Sequence, residues 1–404
     1  MTAVDPDVPG AVVLGADYRA LGVVRSLGRR GIPVWVLHGP DEHRLATTSR
    51  YTRRRLPWPA GDDDHARSLF LRSLAERHGL RGWVLFATAD STAAFVAREH
   101  DRLRETFALT TPAWEVFRWA YDKRLTAELA TSMGVGHPCT RPVRSRADVE
   151  HYDGDFPVIL KPATKPRLKL PAAKAWPAND RAELLRRYDQ AVRLTEPGTL
   201  MLQELIPGRR GAQLSFAALC DRGTPLVRVT AERERQHPMD FGRSSTLVVT
   251  VENPEVEALG RRVLARLALT GLAEVEFKRD DRDGSYRLLD INLRVWGWHT
   301  IGRRAGLDFP FLAWRQALGQ QVPILQAPAG MRWLRLTTDL PVGLREVAGG
   351  RLSPTAYVGS VLRPHERPVL APEDPLPALL EVPLFAVSAA RRRVGGSTRA
   401  QVPT

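Results

Sequence analysis

Carboxylate and amide side chains recur at every second position within residues 273–296. Two short strands flank a tight polar loop at 280–284, a pattern that predicts a β-hairpin. A loop centred on Asp283 pairs Glu276 directly with Asp290. Period-2 alternation predicts one apolar and one polar face for this hairpin. The apolar face holds Ala273, Val275, Phe277, Leu289, Ile291 and Leu293, and the polar face holds Glu274, Glu276, Lys278, Asp290, Asn292 and Arg294.

Two carboxylates that face each other on adjacent strands are unfavourable on their own. Directly opposed side chains lie about 4.5–5.5 Å apart, and like charges there destabilise a sheet. A divalent cation would reverse that sign, since the carboxylates of Glu276 and Asp290 and the amide oxygen of Asn292 are ligands for hard cations. An ordinary hairpin with a solvated polar face is the alternative interpretation.

Composition bounds the class of protein. The 404 residues, 43% of them hydrophobic with a mean hydropathy of -0.26, allow two to four compact units. Apolar runs are shorter than the ~20 residues that span a bilayer, and the N-terminus lacks the layout of a signal peptide. Two cysteines, Cys139 and Cys220, provide neither a disulfide framework nor a metal motif. We expect a cytoplasmic protein.

The distribution of arginine and lysine along the chain is more informative than the net charge. A net charge of +14 suits anionic partners, but the arginines are dispersed and no nucleic-acid-binding motif accompanies them. Lysine is rare and confined to the middle of the chain, which favours a phosphate-binding region there, because a compact ammonium contacts phosphate oxygens as a point charge. Chance clustering is the alternative. The lysines are Lys123, Lys161, Lys165, Lys169, Lys174 and Lys278.

The N-terminal part predicts a β-loop-α-β unit with a right-handed crossover. It lacks a complete G-x-G-x-x-G motif, so a Rossmann-like domain that helps to hold substrate is favoured over a dinucleotide site. Asp90 follows the strand at 83–87, at the end of the strand where ligands meet open α/β sheets. Capping of the next helix by Asp90 or Ser91 is the favoured role.

Two central strands end in charged residues. The apolar strand 156–160 leads into Lys161, whose ammonium needs a partner if it is buried. The strand 200–206 carries Glu204 and stops at Pro207, as a hinge between two lobes would. Between them, residues 163–176 are rich in proline and basic residues and predict a mobile basic flap.

These features, taken in order, resemble the ATP-grasp superfamily. The nearest likeness is to its carboxylate–amine ligases, a group related to the large chain of carbamoyl-phosphate synthase, and it covers roughly residues 11–320. Each motif is weak alone, but their order and spacing are distinctive. The resemblance rests on Lys123, Lys161, Gln203–Gly208 (QELIPG), Glu276 and Asp290–Arg294 (DINLR).

The resemblance implies an α/β fold with a Rossmann-like pre-ATP-grasp domain and a two-lobed ATP-grasp unit. The chain from Met331 is rich in proline, which predicts an irregular C-terminal extension. The expected divisions are 1–110 for the first domain, 111–205 for the small lobe with its linker helices and lid, 206–325 for the large lobe with the Mg/ATP site, and 326–404 for the extension.

The resemblance also assigns residues. ATP would be bound by Lys123, Lys161, Lys174, Gln203, Glu204, Leu205 and Ile206, with Glu204 accepting from the adenine amino group. One or two Mg²⁺ ions, or Mn²⁺ on the same ligands, would be held by Glu276, Asp290 and Asn292. Arg294 would be the catalytic residue that stabilises the transferring phosphoryl group.

Two features depart from the family pattern. Asp290 stands where relatives usually have Glu, and Leu293 stands where they have Pro. An aspartate keeps the charge but is one methylene shorter, so the metal geometry must adjust. The flap also lacks the glycines of many relatives, so its phosphate contacts would rely on side chains.

The implied reaction is ATP-dependent ligation of a carboxylate to an amine through an acyl-phosphate, with release of ADP and phosphate. It needs positioning and charge neutralisation rather than a protein nucleophile, which fits a chain without a Ser-His-Asp arrangement or P-loop. Arg233, Arg235 and His299 are candidates for holding a substrate carboxylate, with surface polar residues as the alternative.

The partners expected are a small-molecule carboxylate and an amine, with no nucleic acid and no membrane, and the sequence is compatible with a homodimer. Two other interpretations stay open: carboxylation through carboxyphosphate, and ATP binding without catalysis.

Overall fold

The chain begins with a parallel α/β domain. The computed structural model describes residues 8–40, 42–59, 61, 63–164, 175–195, 198–208, 213–240, 242, 244–363 and 365–398. The elements of the first domain are β1 (Ala11–Leu14), α1 (Tyr18–Gly28), β2 (Val34–His38), β3 (Thr52–Pro57), α2 (Asp64–His78), β4 (Val84–Ala87), α3 (Asp90–Arg98), α4 (His100–Arg104) and β5 (Ala108–Leu109). The sheet order is β3-β2-β1-β4-β5, all parallel. The order reverses at β1 and β4, so the carboxyl ends of these two strands form a crevice.

Close packing at this crevice explains the glycine after β1. Gly15 has φ +120°, and a Cβ placed there would lie 2.2 Å from the Thr88 hydroxyl that follows β4. Only glycine both adopts this backbone conformation and admits the neighbour. The two chain turns that carry Tyr18, Arg19 and Asp90 are therefore held side by side.

The second unit is a small lobe on a four-stranded antiparallel sheet. Its elements are α5 (Trp114–Tyr121), α6 (Lys123–Ser132), β6 (Thr140–Val143), α7 (Arg146–Glu150), β7 (Val158–Pro162), β8 (Trp176–Ala178), α8 (Arg181–Ala191) and β9 (Leu200–Glu204). The sheet order is β6-β9-β7-β8. This lobe has its own core, in which Leu160, Trp176 and Leu202 are buried.

The third unit is a large lobe on a seven-stranded sheet. Its elements are β10 (Gln213–Asp221), β11 (Thr224–His237), β12 (Ser244–Thr250), α9 (Pro254–Arg266), β13 (Gly271–Arg279), β14 (Tyr286–Asn292), α10 (Phe309–Ala317) and β15 (Leu325–Gln326), with β16 (Arg332–Leu334) completing it. The order is β14-β13-β10-β11-β12-β16, and β15 pairs with β11. Two core clusters join this lobe to the first domain, and one of them also includes helices α5 and α6. The separate core of the small lobe is formed by its sheet together with α7 and α8.

The C-terminal part is helical, which corrects the prediction of an irregular extension. After β16 come α11 (Leu336–Ala348), α12 (Pro354–Leu362) and α13 (Leu376–Thr398). Buried ion pairs fix this part to the first domain and to itself: Arg25 with Asp374 at 2.9 Å and Arg335 with Glu381 at 2.9 Å. None of the described helices is long and apolar enough to cross a bilayer.

The predicted mixed α/β architecture is confirmed. The three sheets change near the predicted divisions at 110 and 205, whereas β16 carries the large-lobe sheet beyond residue 325. The division into four domains stays a prediction.

Candidate active site

A cleft of about 730 Å³ lies where the three units meet. The small lobe contributes its walls through β7 and β9, the large lobe through β10, β11, β13 and β14, and the first domain closes one end. The lining includes most of the residues predicted from the sequence: Lys123, Lys161, Gln203, Glu204, Leu205, Ile206, Arg233, Glu276, Asp290, Asn292 and Arg294. Residues from distant parts of the chain thus converge in one place.

The β13–β14 hairpin presents its carboxylates to this cleft in the predicted register. Glu276 pairs with Asp290 and Glu274 with Asn292. A bulge between Glu276 and Phe277 then shifts the pairing by one residue. The apolar face assigned to Leu289 is therefore wrong: Leu288 is buried in the core, and Leu289 lines the cleft.

Hydrogen bonds tie the polar groups of the hairpin together. The Asn292 amide donates to Glu276 at 3.0 Å and to Glu274 at 3.2 Å. Arg233 on β11 reaches Glu276 at 3.1 Å, and Lys123 at the start of α6 reaches Asp290 at 2.8 Å. Cationic side chains from two other elements thus offset the repulsion that the opposed carboxylates would otherwise produce.

Glu276, Asp290 and Asn292 are chemically suited to a Mg²⁺ ion, since they supply two carboxylates and an amide oxygen in one cleft. Within the described ranges, no three His, Cys, Asp or Glu side chains cluster as a metal site, so the amide would have to serve as the third ligand. The assignment of these three residues to a metal stays a prediction.

Glu274 is a buried carboxylate on strand β13 of the hairpin. Its side chain is buried, accepts a hydrogen bond from the Trp298 indole at 2.8 Å and another from the Ser215 hydroxyl at 3.2 Å. Burial, together with the nearby charge of Glu276, raises the pKa of Glu274 to about 7. The sequence placed Glu274 on the correct face but showed nothing of its burial.

Arg294 is held by the first domain. Its guanidinium donates to both carboxylate oxygens of Asp90, at 2.7 and 3.2 Å, and to the Asn292 oxygen at 3.2 Å. Burial alone would lower the pKa of Arg294, but the Asp90 carboxylate raises it. The capping role favoured for Asp90 or Ser91 is wrong, because Ala89 is the N-cap and its N–H donates to Thr92.

A second arginine accompanies this pair at the same end of the cleft. Arg19, which also lines the cleft, is fixed by two hydrogen bonds to Asp17, at 2.6 and 2.9 Å. Asp17 in turn caps α1 through the N–H of Arg19. Arg19 was not among the residues predicted from the sequence, and its position at the start of the helix that follows the first strand was the available signal.

The residues predicted to bind the nucleotide lie at the other end of the cleft. Lys161 donates to the Gln203 side chain at 2.5 Å. Both oxygens of Glu204 are engaged, one by the backbone N–H of Cys139 at 3.0 Å and the other by Arg282 of the hairpin loop at 2.5 Å. Apolar side chains of Ile159 and Ile206 line the cleft beside them.

Two candidate substrate residues lie elsewhere, which corrects the sequence analysis. Arg235 is buried in a bidentate pair with Asp339, with both distances 2.9 Å. His299 is buried beneath α1, where its Nδ1 donates to the backbone carbonyl oxygen of Trp296 at 2.8 Å, and burial lowers its pKa to about 4. Neither lines the cleft. Lys174 and most of the predicted flap fall outside the described residues.

Comparison with known proteins agrees with this architecture. A family model described as ATP-grasp in the biosynthetic pathway with Ter operon matches residues 196–337. The chain is 22% identical over 303 residues to a D-aspartate ligase of Enterococcus faecium (strain Aus0004), a match that covers 70% of each chain.

Similar solved structures include two enzymes of comparable extent. An L-amino acid ligase from Bacillus licheniformis superposes with a TM-score of 0.63 at 16% identity, covering 78% of this chain and 75% of that one. An N5-carboxyaminoimidazole synthetase from Staphylococcus aureus gives 0.60 at 13% identity, covering 84% and 86%. The predicted resemblance to the ATP-grasp superfamily is confirmed, and the chain has an ATP-grasp fold.

Proposed function

We propose that this protein is an ATP-dependent ligase that joins a carboxylate to an amine through an acyl-phosphate and releases ADP and phosphate. The observation that carries the proposal is the convergence of Glu276, Asp290, Asn292 and Arg294 with Lys123 and Lys161 in one cleft. An acidic group flanked by fixed cations is what in-line phosphoryl transfer to a carboxylate requires.

The nucleotide would occupy the cleft between the two lobes. Lys123 and Lys161 would neutralise its phosphates, together with Lys174. The adenine would lie against the apolar side chains near Ile206, with the backbone at Leu205 and Ile206 and the side chains of Gln203 and Glu204 completing its site. Because both oxygens of Glu204 already accept hydrogen bonds, its contact with the adenine amino group would share or replace one of them.

Glu276, Asp290 and Asn292 would hold one or two Mg²⁺ ions. The metal supplies charge neutralisation between the phosphates when it is bound. Lys123 contacts Asp290 and Arg233 contacts Glu276. When the metal neutralises these carboxylates, both cations would also interact with the anionic groups of the substrates.

Arg294 would stabilise the transferring phosphoryl group and the acyl-phosphate. Its bidentate bond to Asp90 fixes the guanidinium before substrates arrive, so little reorganisation is needed during the reaction. Arg233 and Arg19, which line the same cleft, would hold the carboxylate of the substrate. The amine would then displace phosphate to give the amide.

Amino acids are the substrates to test first. The D-aspartate ligase and the L-amino acid ligase that this chain resembles support an amino acid as one of the two partners. The arginines at the closed end of the cleft suit the carboxylate of such a molecule.

The experiment is a screen for ADP release that crosses amino acids and other carboxylates with amines. We expect ADP that depends on both partners and a product lengthened by an amide bond, detected by mass spectrometry. Glu276→Gln should abolish turnover, while Glu76→Gln, which alters an exposed carboxylate on α2, should not. Full activity of Glu276→Gln would refute the assignment of the acidic cluster.

Bicarbonate separates this reaction from the carboxylase alternative. ADP release that requires bicarbonate and no other carboxylate would favour chemistry through carboxyphosphate. Tight binding of ATP without ADP release across the whole panel would favour a binding protein without catalysis.

A further inference from the structure

The C-terminal helices α11, α12 and α13 expose an unusual amount of apolar surface. Fifteen large hydrophobic side chains are exposed among the described residues, and eleven of them lie between 336 and 387. They are Leu336, Leu340, Leu344, Val358, Leu362, Leu370, Leu376, Leu379, Val382, Phe385 and Val387. Concentration in one part of the chain distinguishes this surface from the scattered apolar residues of any protein.

The spacing shows that whole helix faces are involved. Leu336, Leu340 and Leu344 recur every four residues and form one stripe along α11. On α13, Leu379 and Val382 are 71% and 64% exposed, whereas Glu381 between them points inward to Arg335 and Thr337. Glu381 is the only charged residue between 376 and 390. A helix that is apolar on its outer as well as its inner face requires something to cover it.

The three helices form one unit. The ring of Tyr357 on α12 packs against Gly343 of α11, where an added Cβ would lie 2.0 Å from it. The Glu381 side chain of α13 bonds to Arg335 and Thr337 at the start of α11. We name the exposed apolar residues of α11, α12 and α13 the C-terminal apolar surface.

Most acidic residues near this surface are buried. Six acidic residues lie between 331 and 398, and five of them are at most 9% exposed. Each of these five forms an ion pair with an arginine: Asp339 with Arg235, Glu346 with Arg351, Glu366 with Arg303, Asp374 with Arg25, and Glu381 with Arg335. Five of the six acids thus point inward, whereas Glu373 is exposed and pairs with Arg29.

The arginines are divided, with three of the six between 331 and 387 exposed. Arg345, Arg351 and Arg363 are exposed on or beside α11 and α12. Three consecutive arginines, 391–393, follow the apolar stretch of α13 in the sequence. The outward chemistry of this unit is therefore apolar and cationic.

We infer that the C-terminal apolar surface docks on an anionic lipid surface, as a peripheral and not a spanning contact. Helices that lie in a membrane interface combine exposed apolar side chains with flanking arginines, and anionic headgroups attract the arginines. A second copy of the chain is a poorer occupant, because a two-fold contact would bring arginine-bearing surfaces together. This inference revises the sequence-based expectation of no membrane partner.

The test uses the full chain and vesicle flotation. We expect the protein to float with phosphatidylcholine vesicles that contain phosphatidylglycerol, to float poorly with phosphatidylcholine alone, and to detach as salt rises. Leu379→Glu should weaken binding about tenfold or more. It removes a leucine that the lipid would bury, and it adds a negative charge that anionic headgroups repel. Leu69→Glu, at an exposed leucine on α2, is the matched control and should bind like the wild type.

Folding and oligomeric state are measured in parallel. Thermal unfolding shows whether Leu379→Glu is folded, and Leu340→Glu replaces it if it is not. Absence of flotation with anionic vesicles at low salt, or equal flotation of the wild type and a folded variant, would overturn the inference. Self-association without vesicle binding, lost in Leu379→Glu, would instead assign the surface to a second copy.

Discussion

Asp90, at the start of α3, holds Arg294 of the large lobe in a bidentate ion pair across the boundary between two units. The arginine is only 11% exposed, so the carboxylate of Asp90 compensates a buried charge. The first domain thereby contributes to the proposed chemistry through Arg294.

Asp90→Asn should lower kcat more than it raises the KM for ATP. The amide keeps the shape of the side chain but loses the charge that fixes Arg294, and a displacement of about 1 Å at a reacting group can cost about 100-fold in rate. Steady-state ADP release measures both constants. Asp101→Asn, at a carboxylate on α4 that is 91% exposed, is the control. An unchanged kcat in folded Asp90→Asn would show that Arg294 needs no support from the first domain.

Lys123→Met should weaken ATP binding by about 10–100-fold. Lys123 lies 2.8 Å from Asp290, at the point where the small lobe meets the hairpin, and methionine preserves the apolar stem while removing the ammonium. A hydrogen bond to a charged group contributes roughly 1.5–3 kcal/mol, which corresponds to that range of affinity. Titration calorimetry with ATP and Mg²⁺ measures the affinity. Arg186→Met, which removes an exposed cation on α8, is the charge-matched control. Equal affinity of the two variants would contradict a phosphate contact.

Glu274 should make the folded protein less stable as pH rises. Its pKa is about 7 in the fold against an ordinary value of 4.5, so between these values the native state holds a proton that the unfolded state has lost. Stability therefore falls as pH rises from about 4.5 to 7, in total on the order of 3 kcal/mol.

Glu274→Gln removes this titration while keeping an acceptor for the Trp298 indole. We expect the variant to be more stable than the wild type at pH 8 and nearly equal to it at pH 5. Denaturant unfolding at several pH values, without Mg²⁺ or ATP, gives the comparison. If the difference between variant and wild type is constant with pH, Glu274 is ionised throughout in the fold.

The sequence predicted the hairpin well because two simple rules determine it. Alternation and the centre of the loop place Glu276 opposite Asp290, as observed. The same rules missed the bulge that turns Leu289 into the cleft, because a bulge shifts the register without any mark in the residue pattern. Asp90 was assigned to its own helix because its partner is 204 positions away.

The C-terminal part was predicted as irregular because proline was taken as a helix breaker. Pro354 opens α12, where a missing N–H costs nothing, and Pro341 and Pro383 lie inside α11 and α13. Tertiary contacts such as the buried pair of Arg335 with Glu381 hold these helices in place. Such contacts could not be inferred from local propensity.

Arg233 and Arg235 should separate activity from stability, although they are two residues apart on one strand. A register shift between them in the β11–β12 pairing allows Arg233 to face the cleft while Arg235 pairs with Asp339. Arg235→Met leaves a buried carboxylate without its partner and should cost about 3–5 kcal/mol of unfolding free energy. Its effect on kcat/KM, measured well below the unfolding temperature, should be small.

Arg233→Met should have the opposite profile. It removes the cation beside Glu276 and the proposed contact with the substrate carboxylate, so we expect kcat/KM for the carboxylate to fall about 100-fold. Because Glu276 at the cleft is 14% exposed whereas Asp339 is fully buried, the carboxylate left without its cation costs less, and the loss of stability should be smaller than for Arg235→Met. Unfolding curves and ADP release on both variants decide the matter. A larger loss of activity in Arg235→Met than in Arg233→Met would contradict the proposed contact between Arg233 and the substrate carboxylate.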